Sequence, residues 1–181
     1  MRTILCLDLG SKMGWAAFCG NGFIRKPQVH SLAKDAFCQG AMTSGSVTFK
    51  KRTFDGGGVR FSKFRIWLSD TKHRFECAGS SLDKIYYEEV RRHLGTDAAH
   101  VYGGFLGVLT AWCEHHQIDY QGVPVGTIKK HATGKGNASK DDVLNAIWDR
   151  GHHHHPEDDN EADALALLYY ALDREEEDME S

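Results

Sequence analysis

Short apolar runs alternating with stretches of helical period, in a fixed order along the chain, most constrain the fold. Residues 3–9 (TILCLDL) are apolar except for one carboxylate, Asp8, and are followed by Gly10 and Ser11, the pattern of a buried strand with an acid at its end. Residues 15–19 read as a second strand, joined to the first by a tight turn around Met13 and Gly14, and residues 44–50 (SGSVTFK) as a third. Between them, residues 20–41 show no period and read as a long excursion. After Gly56, Gly57 and Gly58, Phe61, Phe64, Trp67 and Leu68 recur at helical spacing. Residues 84–90 (KIYYEEV) return to a strand pattern. A helix over 97–117, a strand over 120–125 and a short helix over 127–133 follow, then a helix capped by Ser139 and running to Arg150, and a last helix over 161–172. Three strands, helix, strand, helix, strand and then helices predict an α/β fold: a mixed five-stranded sheet, an antiparallel meander first and parallel strands by crossovers after it, flanked by helices.

At 181 residues the chain accommodates one domain with a real core. Hydrophobic residues make up 41% and charged ones 26%, which argues against a disordered, collagenous or membrane chain. No apolar run approaches the roughly 18–20 residues of a membrane span, and the N-terminus enters a strand pattern rather than a cleavable signal. The five cysteines have no CxxC pair and cannot all pair within one chain, so they read as reduced. Both points predict a soluble, cytoplasmic protein. The net charge of −3 is unevenly placed: residues 173–181 hold six acids and one arginine, a net of −5, so residues 1–172 are basic by two charges. The expected organisation is a single domain over 1–172 and a flexible acidic tail over 173–181, whose only apolar residue is Met179. A mildly basic body keeps polyanion binding open.

Three acidic positions stand out: Asp8, the pair Glu88 and Glu89, and Asp163. Successive strand residues face opposite sides, so only one of Glu88 and Glu89 can point toward a given partner. On the last helix Asp163 shares a face with Asp159 and Asn160. If the first strand neighbours 84–90 and the last helix crosses them, these acids converge. Uncompensated carboxylates within a few ångströms cannot all remain ionised. Two hard divalent cations would resolve the repulsion, and Mg²⁺ suits a few carboxylates with water completing its octahedron.

The segments LDLGSKMGWA, YYEEV, VPVGTIKKHATGKGNASKDDV and NEADALALL together resemble the RuvC family of Holliday junction resolvases, in particular its phage and prophage forms. The resemblance runs in order from Thr3 to Leu172 and is weakest between residues 20 and 80. It implies an RNase H-like fold, a homodimer and paired nicking of four-way DNA junctions with two Mg²⁺ ions, Mn²⁺ being a substitute, in a bacterial or phage-infected cell. Asp8 matches the first-strand acid, Glu88 the fourth-strand acid and Asp163 the last acid, while Lys129 and Lys140 match basic residues near the DNA backbone and the active site. Two positions depart from the family. Asn160 stands where Asp or His is usual, so either its amide oxygen coordinates or Asp159 supplies the fourth carboxylate, the preferred reading. Arg91 stands where an aromatic is often inserted at the junction core, and is read as a DNA contact. The alternatives are a broader debranching nuclease acting on forks, flaps and three-way junctions, and a catalytically inactive junction-binding scaffold.

Lys129, Lys130, His131, Lys135 and Lys140 concentrate positive charge in a short span, as a DNA-facing surface would. Gly134–Lys135–Gly136 lacks the flanking residues of a P-loop and instead suits close approach to a DNA phosphate. Lys50, Lys51, Arg52, Arg60, Lys63 and Arg65 form a second basic cluster with Phe49, Phe54 and Phe61 interleaved, which core packing and base stacking explain equally well. His152–His155 read as a flexible loop with adventitious metal affinity. The glycines of the 97–117 helix mark it as the candidate dimer interface.

Overall fold

The computed structural model describes residues 2–20, 37–39, 42–50, 53–91, 95–150 and 156–180. The histidine run, Lys51, Arg52 and most of the 20–41 excursion lie outside the described residues. Six strands form one sheet: β1 (Ile4–Asp8), β2 (Lys12–Phe18), β3 (Phe37–Gln39), β4 (Met42–Thr48), β5 (Lys84–Glu89) and β6 (Asp119–Pro124). They lie in the order β3-β4-β2-β1-β5-β6. β1, β2, β4 and β3 pair antiparallel, and β1, β5 and β6 pair parallel. The five expected strands are thus present in the expected mixed sheet, and the short edge strand β3 extends it.

Alternation along β1 decides what each face holds. Leu5 and Leu7 join the core under α1 (Val59–Cys77) and α2 (Thr96–His116), with Phe49, Phe64, Leu68, Phe105 and Leu109. Ile4 and Cys6 join the opposite core, under α3 (Val125–Thr133), α4 (Lys140–Arg150) and α5 (Asp159–Glu180), with Tyr86, Ile128, Ile147 and Leu165. β1 is therefore covered on both faces, and its residues 4–7 are fully buried. Cys6, Cys77 and Cys113 are free thiols. Among the described residues no helix is long and apolar enough to cross a membrane.

Two expectations need correction. The turn between the first two strands lies at residues 9–11, and Met13 and Gly14 belong to β2. Gly14 reads as a turn residue but serves a close approach: a Cβ there would lie 1.7 Å from the backbone oxygen of Asn160 on α5. The acidic tail is also not a loose appendage, because α5 continues through it to Glu180. Apolar area does not hold it; ion pairs do. Glu175 is buried and accepts hydrogen bonds from the Tyr86 hydroxyl (2.7 Å) and Lys84 Nζ (3.1 Å), with Arg2 at 3.5 Å. Burial raises the Glu175 carboxyl, but these donors outweigh it and hold the group below its ordinary range. Asp173 pairs with Arg150 Nη2 at 2.7 Å and His131 Nε2 at 2.8 Å.

Replacing Glu175 strands Lys84 and the Tyr86 hydroxyl in a buried setting. Glu175→Ala is expected to lower unfolding free energy by about 2–3 kcal/mol in urea denaturation. Glu176→Ala, one exposed residue further on, is expected to change it by less than about 0.5 kcal/mol.

Candidate active site

The same alternation places the acids. Cys6 lies on the α5 face of β1, so Asp8, two residues on, follows it there; Tyr86 lies on that face of β5, so Glu88 follows it. β1 and β5 run parallel with Leu7 opposite Tyr87, and the same register carried one residue further sets Asp8 level with Glu88. Glu89 faces the other way and accepts from Arg91 Nε (3.2 Å) and Nη2 (3.1 Å).

Asp163 arrives from α5, whose first turn is fixed by three contacts. Asp158 caps it, its Oδ1 accepting from the Glu161 N–H at 3.0 Å. Glu161 is buried, accepting from Ser44 Oγ on β4 at 2.6 Å and from the Glu157 N–H at 2.7 Å. The backbone at Asn160 lies against Gly14 of β2. Sequence reading missed Glu161 and Ser44. The legible signal was the pairing of an acid at the helix start with a Glu three residues on, which resembles a capping box.

The resulting electrostatics are those of crowded, half-buried carboxyls. Burial, then the charges of Asp163 and Asp158, push Asp8 up to about 7 against the relief of Lys140. Burial, then Asp8 and Asp163, push Glu88 up to about 8, with Lys129 opposing. Burial also raises Asp163, opposed by Lys140 and Lys129. Asp8, Glu88 and Asp163 therefore sense one another directly. Asp159 is exposed, adds repulsion to Asp163 and pairs with Lys140 Nζ at 2.9 Å. Asn160 points its amide at Asp158 Oδ1, 3.4 Å away. Asp158 itself is tied to Lys12 Nζ at 3.0 Å; burial raises its carboxyl, but bonds from the Glu161 N–H, Ser46 and Lys12 win and bring it down to about 2.

The basic residues divide. Lys129 and Lys140 flank the acids, Lys129 Nζ donating to the Ala138 carbonyl at 2.8 Å. Lys130 and Lys135 are exposed on α3 and the loop after it. That loop begins at Gly134, whose φ of +79° closes α3 in the left-handed region. His131 departs from the cluster, its Nε2 being bound to Asp173. Arg91 is exposed beside Glu89, away from the acid cluster.

With this geometry in view, the solved structures it resembles carry weight. No protein-family model matches the sequence, and no curated protein matches it significantly. Thermus thermophilus RuvC superposes with a TM-score of 0.67 at 17% identity, over 96% of this chain and 97% of that one. T. thermophilus RuvC in complex with a Holliday junction substrate superposes with a TM-score of 0.68 at 17% identity, over 94% and 95%. The chain has the RuvC fold. That is an RNase H-like fold, as the sequence resemblance implied. Within this RuvC fold the three inward acids stand at the end of the two central parallel strands and on the helix crossing them.

The donor chemistry suits a hard divalent cation: three carboxyls, each made reluctant to ionise by burial, with the described cysteines elsewhere. Among the described residues no group of three or more His, Cys, Asp or Glu is already arranged to hold an ion. The carboxyls are coupled through space without being drawn into one coordination sphere.

Raised carboxyl pKa values fix the sign of a pH effect. Between the unfolded value near 4 and the folded values of about 7 and 8, the native state holds more protons, so stability falls as pH rises through that window. Urea titrations of metal-free protein should show this loss between pH 5 and 9. The double variant Asp8→Asn, Glu88→Gln should flatten it and gain roughly 2–4 kcal/mol at pH 9.

Proposed function

We propose that the chain is a structure-selective DNA endonuclease, a Holliday junction resolvase that hydrolyses phosphodiesters with divalent metal, Mg²⁺ or Mn²⁺ in its place. One observation carries the reading. Asp8, Glu88 and Asp163 meet at one end of the sheet of a RuvC fold, each raised by burial, with Lys129 and Lys140 beside them. T. thermophilus RuvC, whose fold this chain shares, also occurs in complex with a Holliday junction substrate, which supports branched DNA as the ligand.

In this mechanism Asp8, Glu88 and Asp163 would hold two metal ions, with Asp159, here paired with Lys140, as the preferred fourth carboxylate. Asp159 is preferred over Asn160 because it is the residue beside Asp163, whereas Asn160 is turned to Asp158. The bound metals would lower the pKa of an attacking water and neutralise charge on the leaving oxygen. Lys129 and Lys140 orient the scissile phosphate from the rim, and Lys130 and Lys135 extend the phosphate-binding surface. Arg91 contacts DNA from the far side of β5. The products are 5′-phosphate and 3′-hydroxyl ends.

Near two-fold junction symmetry calls for a C2 dimer that presents two sites to opposite strands. α2 is the proposed interface: a Cβ added at Gly103 or Gly107 meets nothing within 4 Å, so both open outward, while Gly104 faces inward onto Phe61.

The decisive assay is nicking of a labelled four-way junction in Mg²⁺ against Ca²⁺ or EDTA. Asp8→Asn, Glu88→Gln and Asp163→Asn should each reduce nicking by 10³-fold or more while leaving junction affinity within about twofold. Glu89→Gln should retain most activity. Wild-type rates in any of the three would remove that residue from the site.

Lys140→Ala and Lys130→Ala test the phosphate surface. Each should weaken binding to all sequences and reduce the slope of log affinity against log salt by about one. An unchanged slope in both would make them ordinary solvated charges.

A further inference from the structure

Three phenylalanines are interleaved with the second basic cluster, and the structure separates them. Phe49 is buried, with its ring 5.6 Å from Phe64 and 5.8 Å from Phe105. Phe61 packs edge-on against Phe105 at 5.1 Å and fills the space over Gly104. Both belong to the core. Phe54 is 99% exposed, against 55% for Ile66 and 61% for Met179, the other large exposed hydrophobics among the described residues. It sits in the loop between β4 and α1, followed by Gly56, Gly57 and Gly58, where an added Cβ would meet nothing within 4 Å. The loop stands clear of the body and carries an aromatic ring at no gain to the core.

The position of the loop gives the ring a use. It leaves β4 at the end of the sheet where Asp8 lies: the Phe49 N–H donates to the Ser11 carbonyl at 2.7 Å, and Ser11 is three residues past Asp8. It returns through Arg60, whose Nη1 donates to Ser11 Oγ at 3.2 Å. Lys63 Nζ donates to the Lys50 carbonyl at 3.2 Å, closing the base of the loop. Lys50, Arg60 and Lys63 thus form a cationic base beside the turn that carries Asp8, with Phe54 projecting above it and Asp55 as the loop's one acid.

Cations that track a backbone beside an exposed aromatic ring are the elements of base-stacking nucleic-acid binders. A phenylalanine ring offers a face and no hydrogen-bonding group, so it accepts any base but only an unstacked one. A continuous duplex presents no free base face along its length, whereas a branch point does. We infer that Phe54 is a base-stacking residue that takes an unstacked nucleobase at the branch point of DNA, with Lys50, Arg60 and Lys63 holding the flanking phosphates. This rests on the branched-DNA reading above and adds a determinant of structure selectivity to it.

The test compares wild type, Phe54→Ala and Phe54→Trp in Ca²⁺, on a four-way junction with 2-aminopurine at the branch point and on the matching linear duplex. Phe54→Ala should weaken junction binding roughly tenfold and abolish the change in 2-aminopurine fluorescence, with duplex affinity and melting temperature unchanged. Phe54→Trp should restore both. Wild type that prefers the junction, with Phe54→Ala matching it in affinity and fluorescence, would overturn this inference alone. Equal loss on junction and duplex would also overturn it. Wild type with no preference for the junction would overturn the branched-DNA reading and this inference with it.

Discussion

The backbone of the first turn of α5 rests directly on the backbone of β2 at Gly14, and the arrangement of acids follows from that approach. Any side chain at Gly14 would have to occupy the space of the Asn160 carbonyl. The approach brings Asp163 over the ends of β1 and β5, within reach of Asp8 and Glu88. The Asp158 cap and the Glu161–Ser44 bond hold the turn in register with β4 and set its rotation. Asp163 therefore stands on a rigid helix docked on a rigid sheet, and its position owes little to loop structure.

That rigidity has an electrostatic cost. Three carboxyls that burial and mutual repulsion both disfavour as anions are kept where they are by packing that is unrelated to them. Lys129 and Lys140 relieve part of the repulsion, yet each is engaged elsewhere, Lys129 with the Ala138 carbonyl and Lys140 with Asp159. The cluster is thus under-compensated by the protein's own cations. Such a site gains more from an added divalent cation than a neutralised one would, because binding removes repulsion as well as forming bonds.

The strands were legible where one physical rule governs them. Period-two alternation located β1 and β5 and showed that only one of Glu88 and Glu89 could face the other acids; the resemblance pointed to Glu88, and the structure, with Cys6 and Tyr86 on the α5 face, puts Glu88 on the side of Asp8. The helices followed from their period, although the end of α5 did not. Counting apolar residues predicts disorder after Leu172, but Glu175 is held by Tyr86, Lys84 and Arg2, which lie far away in sequence. Gly14 was misread for a similar reason: a glycine that lets two backbones touch has the same one-letter signature as a glycine in a turn. Phe54 was undecidable from the sequence because Phe49 and Phe61 share its composition and spacing, and only burial distinguishes them. In each case the missing information is a long-range contact that local pattern does not encode.

The course of α5 also fixes where the acidic segment lies. At 1.5 Å per residue, the span from Asp163 to Glu177 is about 20 Å, more than twice the roughly 8 Å screening length at physiological salt. Of the acids beyond residue 172, Asp173, Glu175 and Glu177 are already paired, with Arg150, Lys84 and Arg174. As a continuation of α5 the segment is held along the helix axis, and it meets the basic span through the Asp173–His131 pair. Its exposed acids leave the far end of α5 negative. That negative end disfavours a polyanion there, while at the opposite end the crowding of Asp8, Glu88 and Asp163 needs added cations before a polyanion could approach.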